Sequence, residues 1–247
     1  MKYCFIADVH SNLPALEEII SASRKFLIDK YICLGDMVGY GPYPNETVDL
    51  IKTLVFTSCG GNHDFAAIGR LEKDDFNKLA RQAIEWTESV LTDTSIKYLN
   101  TLEPSKKIED KFEIVHGALT NPLTDYIINK WIAVSNFKLM TTRICFFGHT
   151  HIPRIFALNE HNNSPEIIDI KINEKIKLNI DNFRYLINPG SAGQPRDGNP
   201  DAAYCVFDTD DCSIIFLRAE YSVHQIQQEM QRLKFPEYLT TRLSLGV

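Results

Sequence analysis

The stretch TLVFTSCGGNHD, residues 53–64, joins a short apolar run directly to a cluster of polar side chains. Runs rich in β-branched and aromatic residues that end in glycine are typical of buried strands leading into functional loops. The same arrangement recurs at four other places in the chain. The five runs, each of which we predict to be a strand, are residues 2–7, 30–34, 53–59, 111–115 and 143–147.

Each predicted strand delivers acid, amide or imidazole groups at its carboxyl end. These residues are Asp8 and His10; Asp36; Asn62, His63 and Asp64; His116; and His149 and His151. Ligands of α/β folds bind in the crevice outside the strand carboxyl ends, so we expect the five clusters to converge. Residues two apart in an extended segment point to the same side, so Asp8 with His10, and His149 with His151, should reach inward as pairs.

The clustering of histidine favours a metal site. A single histidine or aspartate after a strand is usually a turn or cap residue, but five of the seven histidines fall in these loops. Nitrogen and oxygen ligands without thiolate suit Mn, Fe, Zn, Ni or Co better than a structural zinc. Two ions bridged by a shared carboxylate are a standard device for displacement at phosphorus. The sequence therefore predicts a dinuclear metal site at the strand carboxyl ends.

The segments around these strands predict an α/β fold. Helical spacing of apolar residues marks residues 13–26, 42–54 and 74–91, and Asp74 and Asp75 suit the start of the third helix. From about residue 154 onward the pattern becomes alternating and antiparallel, and residues 222–245 form one or two further helices. We predict a single domain over residues 1–247, a four-layer α/β/β/α sandwich of two mixed sheets flanked by helices.

Composition excludes several classes of protein. A chain of 247 residues with 44% hydrophobic residues can bury a large core, and its six cysteines suit reduced core thiols better than disulfides. A net charge of -6 argues against nonspecific nucleic-acid binding. The sequence contains neither a signal peptide nor an apolar stretch of about 18 residues, which a membrane helix needs. We expect a cytoplasmic protein without a membrane partner, and oligomeric state is not predicted.

The series D-x-H, G-D, G-N-H-D, H-G and G-H-T-H, in this order from Asp8 to His151, resembles the calcineurin-like metallophosphoesterase superfamily. The strands that continue to about Leu217 also resemble the second sheet of that family. The resemblance implies two divalent metal ions, Mn foremost, with Fe, Zn, Ni or Co as alternatives. It assigns Asp8, His10 and His151 to the first ion, Asn62, His116 and His149 to the second, and Asp36 to both.

The resemblance also implies a mechanism. Hydroxide formed from water between the two ions attacks the phosphorus, and His63 lies over the scissile phosphate and protonates the leaving alkoxide. Many phosphatases of the superfamily read G-D-x-x-D-R-G at the second motif, but here Gly39 and Tyr40 replace the aspartate and arginine. This departure argues against a protein Ser/Thr phosphatase. It leaves the partner of His63 open, with Asp64 either supporting that histidine or capping a helix.

Two loops resemble a bacterial and archaeal branch of small predicted phosphodiesterases, namely residues 39–46 and 188–204. Tyr40, in the first loop, could pack against a proline-fixed helix entry or stack on the substrate. Backbone amides of residues 188–191 could form an anion nest. Arg196 could bind a phosphate oxygen or form an ion pair with a neighbouring aspartate, Asp197 or Asp201.

Lys130, Trp131 and Arg154 could line the substrate entrance, although the helical spacing of Trp131 with Phe137 favours a core position.

From the motifs and the resemblance together, we predict a phosphodiesterase or phosphatase for a small-molecule phosphoester such as a nucleotide. The alternatives are a diadenosine-polyphosphate hydrolase and a non-catalytic scaffold of the same fold, such as the retromer subunit. His161 and His224 lie outside the clusters and serve as internal controls.

Overall fold

The structure, a computed structural model, describes all 247 residues. The strands are β1 (Lys2–Ile6), β2 (Lys30–Cys33), β3 (Val55–Ser58), β4 (Ser105–Ile108), β5 (Phe112–Val115), β6 (Ile144–Phe147), β7 (Arg154–Asn159), β8 (Ser164–Ile168), β9 (Lys175–Lys177), β10 (Phe183–Asn188), β11 (Ala202–Asp208) and β12 (Ser213–Ala219). The helices are α1 (Leu13–Ser23), α2 (Pro44–Leu54), α3 (Asn62–Ala67), α4 (Lys78–Val90), α5 (Asp93–Asn100), α6 (Lys130–Leu139), α7 (Val223–Arg232) and α8 (Glu237–Leu245), and a 3-10 turn (Arg24–Phe26) follows α1.

The strands form two mixed sheets of six. Their orders are β3-β2-β1-β11-β12-β9 and β4-β5-β6-β10-β7-β8. Strands β1, β2 and β3 pair in parallel, as do β5, β6 and β10, and the other pairings are antiparallel. This confirms the predicted α/β sandwich of two mixed sheets.

The assignment of the β-rich second half to the second sheet was wrong, because that half contributes three strands to each sheet. Strand β11 is buried along almost its whole length and pairs with β1 from Lys2 opposite Asp208 onward. Strand β10 pairs in parallel with β6 in the other sheet. Strands that are apolar on both faces belong at sheet centres, so β10 and β11 take central places in different sheets.

An aromatic core joins the two sheets. The rings of Phe5 and Phe146, from opposite sheets, stack with centroids 3.6 Å apart, and Phe112 meets Phe5 edge-on at 5.4 Å. Helix α1 packs on the outer face of the first sheet, and α6 covers the second through Ala133 and Phe137. The result is four layers in the order helix, sheet, sheet, helix.

Several local predictions were wrong. Strand β4 and helix α5 were not predicted. The third helix begins at Lys78, because the side chain of Asn77 accepts hydrogen bonds from the first-turn amides, so Asp74 and Asp75 precede it. Trp131 is 72% exposed rather than in the core, since α6 buries a different face. No helix combines the length and the apolar character that a membrane crossing requires.

Candidate metal centre

The loops that carry the predicted ligands bind one another through the backbone. The amide of Asp8 donates to Gly35 O at 3.1 Å, and that of His10 donates to Asp36 O at 2.9 Å. On the other sheet, the amide of Gly148 donates to His116 O at 2.7 Å. These bonds hold the loops after β1, β2, β5 and β6 together at one edge of the sandwich.

Five of the ligand candidates have left-handed backbone conformations. Their φ angles are 52° at Asp8, 49° at His10, 51° at Asp36, 66° at His149 and 60° at His151. The predicted extended geometry of the pairs Asp8 with His10 and His149 with His151 was therefore wrong, although the ligand atoms of all four residues do reach the centre. A left-handed residue with a side chain costs about 1–2 kcal/mol, and such residues concentrate at functional sites. The tight turns bring the ligand atoms inward.

The first group of ligand atoms comes from Asp8, His10 and His151, all buried and all within 4.8 Å of one another. The Nε2 atoms of the two histidines lie 3.2 Å apart, and His151 Nε2 lies 3.6 Å from Asp8 Oδ1. This spacing suits a single cation held by one carboxylate and two imidazoles.

The second group is centred on His116. Its Nε2 atom lies 3.0 Å from Asn62 Oδ1, 3.2 Å from His149 Nδ1 and 3.4 Å from Asp36 Oδ2. The same Asp36 oxygen lies 3.6 Å from His10 Nε2 in the first group. Asp36 is therefore the carboxylate that the two groups share.

Outer hydrogen bonds fix the protonation of three imidazoles. His10 Nδ1 lies 3.1 Å from Val38 O, His116 Nδ1 lies 2.9 Å from Leu34 O, and His151 Nδ1 lies 2.7 Å from Gln194 O. Since a carbonyl can only accept, each Nδ1 must be the donor, and each Nε2 faces the centre, where it offers a lone pair whenever its imidazole is neutral. Converging lone pairs repel one another unless a cation lies between them, so the donor set fits metal ions.

The buried carboxylates of Asp8 and Asp36 place negative charge at the centre, which a neighbouring positive charge would stabilise. Burial raises the pKa of Asp8 to about 7. Burial alone would raise the pKa of Asp36, but the imidazoles of His116 and His63 outweigh it and hold that pKa well below its usual range. Burial also lowers the pKa of His116, but the neighbouring Asp36 carboxylate raises it by more, so that this pKa is about 9. Without metal, a proton on His116 thus supplies part of the charge that two cations would supply.

His63 differs from the ligand candidates. Its Nδ1 is buried without a hydrogen-bond partner, and burial lowers the pKa of the imidazole to about 4. The ring lies 4.5 Å from Tyr40 and 5.2 Å from Phe76 between centroids, and it faces the same cleft as the metal ligands. Gly39 packs directly behind it, since a Cβ there would lie 2.5 Å from His63 Nδ1.

Asp64 contacts the backbone and makes no hydrogen bond to His63. Its Oδ1 accepts from the amides of Met37 and Val38 at 2.9 and 3.1 Å, and its Oδ2 accepts from the amide of Gly61 at 2.9 Å. These bonds join the start of α3 to the loop that carries Asp36. They favour the capping interpretation of Asp64.

Arg196 and Tyr40 both line the cleft beside the metal centre. Arg196 donates to Gln194 Oε1 at 2.9 Å and forms no ion pair with either neighbouring aspartate, because Asp197 pairs with Arg218 instead. Tyr40 is only 6% exposed, with its ring 4.8 Å from that of His10. The geometry leaves the Arg196 guanidinium available to an anion.

Residues 188–191, where an exposed anion nest was predicted, are buried. The amide of Gly190 donates to Asn188 Oδ1, and Ser191 Oγ donates to Asp8 O at 2.8 Å. The following amides, at Ala192 and Gly193, bind the loop of Asp8 as well. These bonds from Ser191, Ala192 and Gly193 support the loop that carries Asp8.

Lys130, Trp131 and Arg154 do not line the cleft, and Arg154 borders a separate depression beside Arg218. Residues that the sequence did not indicate take their place. Tyr126 stacks on His149 with centroids 3.9 Å apart, and Tyr238, Leu239 and Arg242 of α8 form part of the wall. The cleft has a volume of about 690 Å³. None of these additional residues belongs to a recognisable motif, so no local signal could have found them.

Comparisons with known proteins agree with this geometry. Residues 1–212 match the model of the calcineurin-like phosphoesterase superfamily domain, and the chain belongs to this family. The protein MJ0912 of Methanocaldococcus jannaschii is 38% identical over 98% of this chain and 96% of its own length. The crystal structure of a metallophosphoesterase from Sphaerobacter thermophilus is 40% identical, covers 100% of this chain and 99% of its own, and superposes with a TM-score of 0.87.

A more distant relative, the phosphodiesterase YfcE of Escherichia coli K12, is 22% identical over 92% of this chain and 97% of its own length. Family membership together with the buried His/Asp centre makes the protein a metal-dependent phosphoesterase. Its two groups of donor atoms, which share Asp36, form a possible dinuclear metal site.

Proposed function

We propose that this protein hydrolyses phosphodiesters or phosphomonoesters of small molecules such as nucleotides, with two divalent cations and with His63 as the general acid. The observation that carries the proposal is the set of outer hydrogen bonds that turns the Nε2 atoms of His10, His116 and His151 toward the buried carboxylates of Asp36 and Asp8. Asp8, His10 and His151 would hold one ion, Asn62, His116 and His149 the other, and Asp36 both.

When bound, two such ions activate water as the nucleophile and neutralise charge on the phosphoryl oxygens. The other tasks fall to side chains of the cleft. His63, which packs against Tyr40 and Phe76, would protonate the leaving alkoxide once the negative charge of the bound phosphate raises the pKa of the imidazole from about 4. Arg196 binds a phosphate oxygen through its free guanidinium nitrogens, and Tyr40 contacts the ester group beside it.

The size of the cleft supports a small substrate. A volume of about 690 Å³ falls within the range of ligand pockets, roughly 300–1,000 Å³, and the net charge of -6 gives no general attraction to nucleic acid. The name of YfcE supports a diester for that relative, and we extend the preference to this chain. Nitrogen and oxygen donors support Mn, with Fe, Zn, Ni or Co as alternatives. Six unpaired cysteines support a cytoplasmic location.

The two alternative functions make different demands. A scaffold has no need of His63 or of a full donor set, and this chain has both, so we rank that alternative lower. A diadenosine-polyphosphate hydrolase would use the same centre to cleave an anhydride. Only a comparison of substrates separates it from an esterase.

The test is to strip the protein of metal, refill it with Mn, Ni, Zn, Fe or Mg, and follow p-nitrophenol release from bis(p-nitrophenyl) phosphate and p-nitrophenyl phosphate. We expect metal-dependent turnover that His63→Ala abolishes while two ions stay bound. The exposed His161 provides the matched control, and His161→Ala should behave as wild type. Bound metal without turnover of either ester would contradict the proposal and favour an anhydride substrate or a scaffold.

A further inference from the structure

Two arginines line the cleft beside the metal centre. Arg196 lies in the loop between β10 and β11, and Arg242 lies in α8, beyond the residues 1–212 that match the family model. The two side chains are each half-buried. Arg242 therefore adds to the cleft a positive charge that the family motifs do not specify.

Neither guanidinium pairs with a side-chain carboxylate. Five other arginines of the chain do so, namely Arg81, Arg143, Arg184, Arg218 and Arg232. Arg196 donates to Gln194 Oε1 and lies beside the hydroxyl of Tyr40, and its Nε is buried without a partner. Arg242 donates from Nε to the backbone oxygen of Val247, and its two terminal nitrogens make no hydrogen bond. Both side chains keep free donors.

The fold holds these two groups close together. The amide of Arg196 donates to His151 O at 3.2 Å, and the amide of Gly198 donates to Gly246 O at 2.9 Å, which ties the end of α8 to the Arg196 loop. Arg242 also lies over the ring of Tyr238, 5.3 Å from its centroid. Burial, and next the charge of Arg196, lower the pKa of Arg242. Two half-buried like charges oppose folding unless an anion lies between them.

The two arginines occupy different depths of the cleft. The backbone amide of Arg196 binds the carbonyl oxygen of the metal ligand His151, whereas Arg242 lies in α8 against the ring of Tyr238, on the outer wall of the same cleft. Arg196 is thus adjacent to the place of the reacting phosphate, and Arg242 lies farther out. Planar guanidinium groups bind phosphate through paired hydrogen bonds.

We propose that Arg242, beside Arg196 at the reacting phosphate, binds a second phosphate group of the substrate, so that the enzyme prefers small phosphodiesters which carry a further phosphate. This inference rests on the proposed function and specifies its substrate class.

The test compares two esters that differ only in the second phosphate, the p-nitrophenyl ester of thymidine 5′-phosphate and its 3′-phosphorylated form. For the wild-type, metal-loaded protein we expect kcat/KM to favour the 3′-phosphorylated ester by about tenfold, because charge-assisted hydrogen bonds are strong. The ratio should fall to near one in Arg242→Gln and recover in part in Arg242→Lys. Arg232→Gln, which alters an exposed arginine outside the cleft, should leave the ratio unchanged.

Equal hydrolysis of both esters by the wild type, or an unaltered preference in Arg242→Gln, would overturn the arginine proposal and leave the proposed esterase function standing. If neither ester is hydrolysed with any metal, the proposed function fails, and calorimetry of product binding decides the arginine proposal separately. Tighter binding of thymidine 3′,5′-bisphosphate than of thymidine 5′-phosphate, lost in Arg242→Gln, would support the second phosphate site. Equal binding of the two nucleotides would overturn it.

Discussion

Replacing Gly39 by alanine tests whether catalysis requires His63 to lie where the structure places it. Gly39 has a φ of +88°, and a Cβ there would lie 2.5 Å from His63 Nδ1 and 3.1 Å from its Cγ. Favourable contacts between such atoms begin at about 3.5 Å, so the imidazole would have to move by about 1 Å. The ring packs against Tyr40 and Phe76, so it cannot move without disturbing the cleft.

Two separate effects follow from Gly39→Ala. A displacement of about 1 Å can reduce a rate by about 100-fold, so we expect kcat on bis(p-nitrophenyl) phosphate to fall by that order. The left-handed backbone adds a penalty of about 1–2 kcal/mol to folding, which lowers the melting temperature by about 2–8 °C. Metal content should stay at two ions per chain, because the three nearest atoms to the new methyl group all belong to His63.

Gly69 provides the control. It also has a positive φ, +72°, but a Cβ there would meet nothing within 4 Å. Gly69→Ala should therefore show the loss of melting temperature without the loss of kcat. If Gly39→Ala has the same kcat as Gly69→Ala, the placement of His63 does not control the reaction, and His63 is not the general acid that we propose.

Three further predictions concern the metal centre. Asp36→Asn should bind fewer than two ions by mass spectrometry, and two ions with full activity would refute the shared role of Asp36. Chelation should lower the melting temperature by several degrees and Mn should restore it, because ions that bind only the folded state stabilise it. Tyr126→Ala removes the ring stacked on His149 and should weaken metal affinity by about 2–10-fold in a titration. His161→Ala and His224→Ala should change none of these quantities.

The sequence predicted the parts of the molecule that have strong local signals. Buried strands are short apolar runs, and polar residues that interrupt them abruptly mark the loops at their ends, so the clusters from Asp8 to His151 could be found without a structure. Their convergence was predicted for a sound reason, the common edge of parallel strands. The backbone conformation was not, since a left-handed turn at His10 or His149 has no sequence signal when the residue is not glycine.

Features that depend on distant contacts were missed. Strand β4 carries Lys106 and Lys107 and forms an edge, so it lacks the apolar pattern of a strand. Trp131 shares its helical spacing with Phe137, and the spacing alone could not show which face of α6 meets the sheet. Arg242 lines the cleft because α8 packs beside the metal-centre loops. Such a contact between segments far apart in the sequence cannot be predicted from the periodicity of apolar residues.

The left-handed residues of the metal centre cost stability, and this cost affects which substitutions the protein can accept during evolution. At each of the five positions glycine would relieve roughly 1 kcal/mol of backbone strain, about 5 kcal/mol together if the effects add. That strain is offset in the working protein by the ions that these side chains would hold and by the hydrogen bonds that Asp8 and Asp36 accept from the amides of His149 and His63. A lineage that loses its metal ions would therefore keep the strain without the stabilisation, and exchange for glycine is expected first at His10 and His151, whose side chains accept no such amide bond.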